Sequence, residues 1–542
     1  ADLPMLKAQE QEQEQEQEQA QAQAHQQHDV HWVTRVLGHA SFVWLGYAVV
    51  LGVCVSLLTV PQVVDVGATA GLVAAVVCMV AMAWVGRRVA WQDNRLMPWL
   101  VGAWIVAAVI SSVLGVLQYL DMASALSPWV NQPAFKGDAF ANLRQRNQFA
   151  SLTSIGLVAL LAASYALLQL EGKPQAWRFL RQRYTLASAF VLLNVLAIGA
   201  ACSMSRTAVL QWVAVSVLAL MWAWRHRQTA WCGLVLSAPL LLLMWSFVMP
   251  LVSQHITGQQ GANLALRVAG SIGDYGVCGS RSVLWTNVLQ LIVQKPWFGW
   301  GWGETDIAHF LTLYKGQRFC DILDNAHSLP LHLALEFGVP LALCAVLCAV
   351  SWVWLRKPWN ERAIWRVLAW GVLLVVGLHS LLEYPLWYGP FQIAVLLCAM
   401  LLRQRLNGSV VQQRVWPVVG TAILAATAFI AVDYALVRQI FIPASQRTGL
   451  WSGDALTLAK SSVVFEATAQ FAEFSVTPVT PENADHMLAR GQAMLHYSPE
   501  PKVIRKVIEA ADMTGDKATA ERHRALMQIA FPSEAEAVKP RQ

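Results

Sequence analysis

Long apolar runs limit what this chain can fold into more than any motif does. About 20 residues with almost no charge are enough to cross the hydrocarbon core of a bilayer as a helix. Inside lipid every backbone polar group must be satisfied locally, so open or irregular segments do not span. Eleven such runs are read, at approximately 41–60, 66–86, 98–120, 149–169, 184–204, 207–224, 230–251, 327–355, 363–382, 387–403 and 414–437. The chain is 56% hydrophobic and 13% charged, against about half and a quarter in soluble domains. The expected fold class is an all-α polytopic membrane protein.

Orientation follows from basic residues in short loops, which favour the cytoplasmic side. Arg87, Arg88 and Arg95 form one such group, and Lys173, Arg178, Arg181 and Arg183 a second. Arg225 and Arg227, then Arg356, Lys357 and Arg362, then Arg403, Arg405 and Arg414 complete the set. Eleven spans place all five groups on one side. The loops 121–148 and 252–326 and the segment 438–542 then lie on the other side, with the N-terminus inside. Residues 1–29 include QEQEQEQEQAQAQA and are expected to be a disordered low-complexity arm. No cleavable signal peptide is expected. The net charge of +6 is accounted for by the inner loops and gives no reason to expect nucleic acid.

Seven of the nine cysteines fall within spans, as small apolar fillers. Cys278 and Cys320 share the large outer loop, where an oxidising compartment permits a disulfide. Two free thiols are the alternative.

The stretch DNAHSLPLHLALEFG at 324–338 opens the expected eighth span with Asp324, Asn325 and His327. Other polar groups fall on the same outer face. Lys136, Arg144, Gln145, Arg146 and Asn147 precede one span, Arg206 opens another, and Arg267 and Arg281 lie in the large loop. His379, Glu383, Tyr384 and Tyr388 join two further spans. A single arginine at a span end ordinarily snorkels or meets lipid phosphate. Several on the side opposite the basic loops run against that trend. Guanidinium groups stay charged and grip phosphate bidentately, which suggests a site for a phosphate-bearing lipid in the outer leaflet. His327 has a plainer alternative, as an interfacial polar residue or a cap partner of Asp324 or Asn325. His255, His309 and His332 are read as structural. There is no HExxH or CxxC spacing and no phosphate-binding loop, so neither a metal nor a nucleotide cofactor is expected. The GWGWG run at 299–303 reads as a tight turn with interfacial tryptophans.

These residues resemble a known pattern. DNAHSLPLHLALEFGVP is similar to the signature of the O-antigen ligase and polymerase superfamily. Arg281, Trp285, Pro296, Gly299 and Gly301 fit its R-x-x-x-W…P-x-x-G-x-G pattern, and Ser205-Arg206-Thr207 its S-R motif. QRNQFA at 145–150 and HSLLEYPLWY at 379–388 resemble more specifically the bacterial protein O-oligosaccharyltransferases, the pilin glycosylation ligases. The resemblance spans most of residues 30–540. One departure is Gln148-Phe149, where a histidine often follows the asparagine, and it touches the donor contacts.

The resemblance implies a multi-pass protein of the bacterial inner membrane with its active site facing the periplasm. The implied donor is an undecaprenyl-diphosphate-linked oligosaccharide, and the implied acceptor a Ser or Thr hydroxyl of a pilin-like or other periplasmic protein. It implies His327 as the catalytic general base, with direct attack and inversion. Arg281, Arg206 and Arg144 or Arg146 would hold the pyrophosphate. Asp324 or Glu383 would orient the imidazole, and Gln145, Asn147, Tyr384 and Tyr388 would align donor or acceptor. Asn325 belongs to the same motif.

Residues 438–542 read as amphipathic helix-length pieces bounded by Pro, Gly or Ser, in the manner of tetratricopeptide-type helical hairpins. Such units bind proteins, which suits acceptor recruitment, and a structural cap on the catalytic face is the equal alternative. Residues 30–437 are then the transmembrane glycosyltransferase domain. Within the superfamily, a ligase to lipid A-core or an O-antigen polymerase is the competing reading. A transporter of an anionic substrate is a third, and no internal repeat supports it.

Overall fold

The computed structural model describes residues 96–127, 129–135, 137–143, 145–169, 175–226, 229–258, 263–264, 278–402, 429–430, 432–442, 447 and 454–535. The expected N-terminal arm, the expected spans 41–60 and 66–86, and most of 414–437 lie outside the described residues. So do Lys136, Arg144 and Arg267. Regular structure among the described residues is helical throughout.

The membrane part begins with α1 (Leu96–Tyr119), α2 (Arg146–Leu168), α3 (Gln175–Cys202), α4 (Arg206–Arg225) and α5 (Thr229–Thr257). Next come α6 (Arg281–Gln294), α7 (Thr305–Leu311), α8 (Leu329–Phe337), α9 (Val339–Arg356), α10 (Ile364–Ser380) and α11 (Gly389–Leu402). Six helical segments among the described residues are long and apolar enough to cross a membrane. Five fall in α1 to α5 and the sixth is Val339–Asn360; α10 and α11 are apolar but shorter.

Helix α2 is the axis of this bundle and packs against α1, α3, α4 and α10. Close approach depends on small residues, as is usual where lipid supplies no hydrophobic drive. A side chain at Gly156 would run into Ala108 of α1, and one at Gly199 of α3 would run into Ser112. Trp222 Nε1 donates to the Glu361 carbonyl (3.0 Å), and Arg366 Nη1 to the carbonyls of Leu401 and Leu402 (3.3 and 3.2 Å). The end of α4, the α9–α10 junction and the end of α11 therefore share one end of the bundle.

The expected continuous span 327–355 is instead two helices, α8 and α9, broken at Gly338. Gly338 has φ +90°, and a side chain there would meet the Trp297 backbone. The Val339 N–H donates to the Pro296 carbonyl (2.8 Å) instead of continuing the helix, and Pro340 has no N–H to give to the ladder. Uniform apolar composition carried no sign of this break. His327 consequently lies in the loop before a short helix, and the span begins a dozen residues later.

Beyond the bundle follow α12 (Ala455–Lys460), α13 (Glu466–Val476), α14 (Ala484–Tyr497), α15 (Pro501–Thr514), α16 (Lys517–Ala530) and α17 (Pro532–Ala535). In α15 Val503, Ile504, Val507, Ile508 and Ala511 make one apolar stripe at helical spacing. It packs between α14 and α16. Ile307 and Phe310 of α7 are buried in the same core as Phe474, Met487 and Val507. Glu304 Oε2 meets His496 Nδ1 at 2.6 Å. The C-terminal helices and the loop before α8 thus share one hydrophobic core.

Candidate active site

The site forms around Glu383, in the turn between α10 and α11. The Glu383 N–H donates to the His379 carbonyl (2.8 Å), which ends α10. Its side chain is only 6% exposed. Oε2 receives Nδ1 of His327 at 2.7 Å, with Gln145 Nε2 more distant at 3.4 Å. Oε1 receives Nδ2 of Asn147 at 2.9 Å and pairs with the Arg281 guanidinium. Asn147 in turn accepts from the Ser205 hydroxyl (2.6 Å). One buried carboxylate thereby joins four segments that lie far apart in sequence.

Three helices begin near this point, each with arginine as its first residue: Arg146 in α2, Arg206 in α4 and Arg281 in α6. A helix N-terminus already carries partial positive charge and favours acidic side chains. None of the three has one in its first turn. Burial lowers the Arg281 pKa; Glu383 opposes that shift and the like charge of Arg206 adds to it. Excess positive potential around one carboxylate suits an anionic ligand. Arg146 is held apart from this pair, because its guanidinium meets Asp138 at 3.3 Å on the preceding loop.

His327 is held from both sides. Its φ is +50°, uncommon for a residue with a side chain, and its N–H donates to Asn325 Oδ1 (2.8 Å). The carbonyl of Ala326 accepts from Trp285 Nε1 (3.1 Å). Arg281 and Trp285 are four residues apart in α6, so they share a face. That gives the R-x-x-x-W spacing a physical meaning: the tryptophan fixes the histidine loop while the arginine reaches the same carboxylate. The imidazole's own contact is with Glu383, whereas Asn325 acts on the backbone. The Tyr384 ring stands edge-on to the imidazole, 5.2 Å between centroids, and Tyr388 stacks on Tyr384. Burial, with neighbouring acidic groups, raises the Tyr384 phenol far above its ordinary range.

The GWGWG turn locks the other end of α8. Trp300 N–H donates to Leu335 O (2.8 Å) and Gly301 N–H to Glu336 O (3.0 Å). A side chain at Gly299 would collide with the Glu336 backbone. The three histidines read as structural lie in different surroundings. His309 is buried between the Tyr314 hydroxyl (2.7 Å) and the Phe319 carbonyl (3.2 Å), and burial pushes its pKa down to about 3. His332 faces Glu336 at 3.4 Å, and His255 is exposed near the end of α5. Cys278, just upstream of Arg281, is bonded to Cys320, with Cα atoms 5.3 Å apart. Two supports have no local signal in the sequence: Ser205 as the partner of Asn147, and the layer beneath the site. There His379 Nδ1 meets Ser151 Oγ (2.8 Å), which accepts from Gln211 Nε2 (2.8 Å).

Comparison with known families matches residues 187–346 to "O-Antigen ligase" and 139–166 to "Protein glycosylation ligase". Residues 367–542 match "Virulence factor membrane-bound polymerase, C-terminal". Over these segments the chain is similar to the O-antigen ligases and protein glycosylation ligases. Among curated proteins, the General O-oligosaccharyltransferase of Acinetobacter baylyi (strain ATCC 33305 / BD413 / ADP1) is 25% identical over 293 residues. That match covers 53% of this chain and 47% of the relative. The ComP-specific O-oligosaccharyltransferase of the same organism is 23% identical over 322 residues, 59% of this chain and 53% of the relative. The chain spans about half the length of the curated relatives it matches. No solved structure matches. The three family matches between them contain Gln145, Asn147, Arg206, Arg281, His327 and Glu383.

Proposed function

We propose that this protein transfers a preassembled glycan from undecaprenyl diphosphate to Ser or Thr hydroxyls of acceptor proteins at the periplasmic face of the inner membrane. The observation that carries the reading is the convergence of His327, Arg281 and Asn147 on Glu383. With Nδ1–H donated to the Glu383 carboxylate, His327 Nε2 keeps a lone pair and serves as general base. The acceptor oxygen attacks the anomeric carbon from the face opposite the diphosphate. Its proton passes to Nε2 as the new C–O bond forms. The anomeric C–O bond to phosphate breaks, and the electron pair leaves with undecaprenyl diphosphate. Arg281 and Arg206 offset the charge on that leaving group. Inversion at the anomeric carbon follows from a single displacement. Gln145, Asn147, Tyr384 and Tyr388 line the approach and position donor or acceptor. Asp324 stands beside this set as a further charge.

A second reading is favoured by the family matches over 187–346 and 367–542, which carry ligase and polymerase descriptions. In it the acceptor is a sugar hydroxyl, on lipid A-core or on a growing O-antigen. The chemistry at Nε2 is the same. The two are separated by offering the purified chain lipid-linked oligosaccharide with a pilin-type protein, with lipid A-core, or alone. A glycan-mass shift on the protein alone supports the proposal. A shift on lipid A-core, or elongation of the donor glycan, overturns it in favour of the second reading.

A further inference from the structure

Helix α6 has two apolar faces. The inner one, with Val283, Leu284, Val288, Leu291 and Ile292, packs on Ala308, Phe319 and Leu335. The outer face is exposed and changes character along its length. Ser282 and Thr286 are polar; Leu289 and Val293, at 52% and 76% exposure, continue the same stripe. Trp297 and Phe298 extend it past the helix end, 72% and 65% exposed. A soluble surface seldom leaves so many large apolar side chains in one patch.

The position of the patch indicates what covers it. Pro296 is hydrogen-bonded to Val339, the first residue of α9, and the Trp297 backbone lies against Gly338. The apolar window of α9 is only 6% buried within the protein. Its Val339, Leu343, Leu347, Val350 and Trp354 are exposed, as lipid-facing residues of a span must be. The α6 stripe is therefore continuous with a surface that faces lipid. Tryptophan is enriched at the membrane interface. Lys295 lays its ammonium over the Trp300 ring, 4.1 Å from the centroid, the arrangement of a cation lifted from apolar surroundings.

We propose that α6 and the turn after it are embedded in the bilayer at a slant. Leu289, Val293, Trp297 and Phe298 lie among lipid acyl chains, while Ser282 and Thr286 stay at head-group level. The loop holding the site is then partly a membrane-surface element. Arg281, at the shallow end of α6, sits at the depth of lipid phosphate. A membrane-anchored diphosphate reaches it without leaving the bilayer; this consequence rests on the proposed function, whereas the lipid contact does not.

The test reconstitutes the whole chain in vesicles of phosphatidylcholine carrying a diazirine midway along one acyl chain. After illumination and digestion, mass spectrometry locates the adducts. Adducts at Leu289–Phe298 comparable with those at Leu343 and Leu347, with none at Ser282 or Thr286, are expected. Labelled Leu343 and Leu347 beside unlabelled Leu289–Phe298 would overturn the proposal, and a second copy of the chain covering the patch would give that same result. Adducts along all of α6, Ser282 included, would overturn the slant. None of these outcomes depends on transferase activity.

Discussion

Nδ1 of His327 lies 2.7 Å from Oε2 of Glu383, which stands 56 residues further along the chain. The same carboxylate holds Arg281 and Asn147. It therefore sets the tautomer of the imidazole and the place of the guanidinium together. Glu383→Gln keeps the size and some hydrogen bonds but removes the charge. Transfer should fall roughly 10²–10⁴-fold, because an amide oxygen orients and stabilises the imidazolium less well. The measurement is the initial rate of glycan transfer, with thermal unfolding alongside to show that the chain is folded. A rate within threefold of the unaltered chain, with an unchanged unfolding midpoint, would count against the role.

Arg281 is assigned to the leaving group. Arg281→Ala should lower the transfer rate at saturating donor by about 10²–10³-fold, the usual effect of removing one donor to a developing anion. Arg281→Lys keeps a cation but loses the planar fork, so it should fall between the two. Equal activity for the lysine and alanine variants would show that charge at this position does not act on the reaction.

Trp285 tests the second support of the histidine loop. Trp285→Phe keeps an aromatic ring and removes the N–H that Ala326 accepts. The expected cost in stability is about 0.5–1.5 kcal/mol, that of one hydrogen bond. The turnover rate should fall while the KM for donor stays nearly constant, because the loop that places His327 loosens and Arg281 remains. A change confined to KM would contradict this assignment.

The sequence was legible where a single local signal sufficed. Helices α1 to α5 follow from apolar length alone, and α14 to α16 from their amphipathic stripes and Pro, Gly or Ser boundaries. It misled at 327–355, because the break at Gly338 depends on the Trp297 backbone, 41 residues away in the chain. His327, Arg281 and Glu383 were all candidates, yet whether Asp324 or Glu383 orients the imidazole is decided by tertiary contact. Arg146 was, as an alternative to Arg144, a candidate beside Arg206 and Arg281, and its pairing with Asp138 depends on the fold of the preceding loop. Ser205 sits where a helix cap is expected, and only the packing of α4 beside α2 turns its hydroxyl toward Asn147.

Acid should release the Glu383 cluster. Burial alone would raise the Glu383 pKa, but the His327 hydrogen bond and the charges of His327 and Arg281 outweigh it and hold it below the ordinary carboxylate value. A carboxyl whose folded pKa is depressed adds stability that is present above its unfolded value, about 4.3, and is lost as pH falls through the lower folded value. The unfolding midpoint should therefore drop on acidification below about pH 4, more steeply for the unaltered chain than for Glu383→Gln. Parallel curves for the two would mean that Glu383 ionisation contributes nothing to the fold.

The central claim is that His327 Nε2 takes the acceptor proton. Its most direct test is single-turnover transfer from lipid-linked oligosaccharide to a pilin-type acceptor by the unaltered chain and by His327→Ala, both shown to bind donor equally. A loss of roughly 10²–10⁴-fold in the transfer step with unchanged donor binding is the predicted result. Full-rate transfer by His327→Ala would remove the imidazole from the reaction and contradict the mechanism.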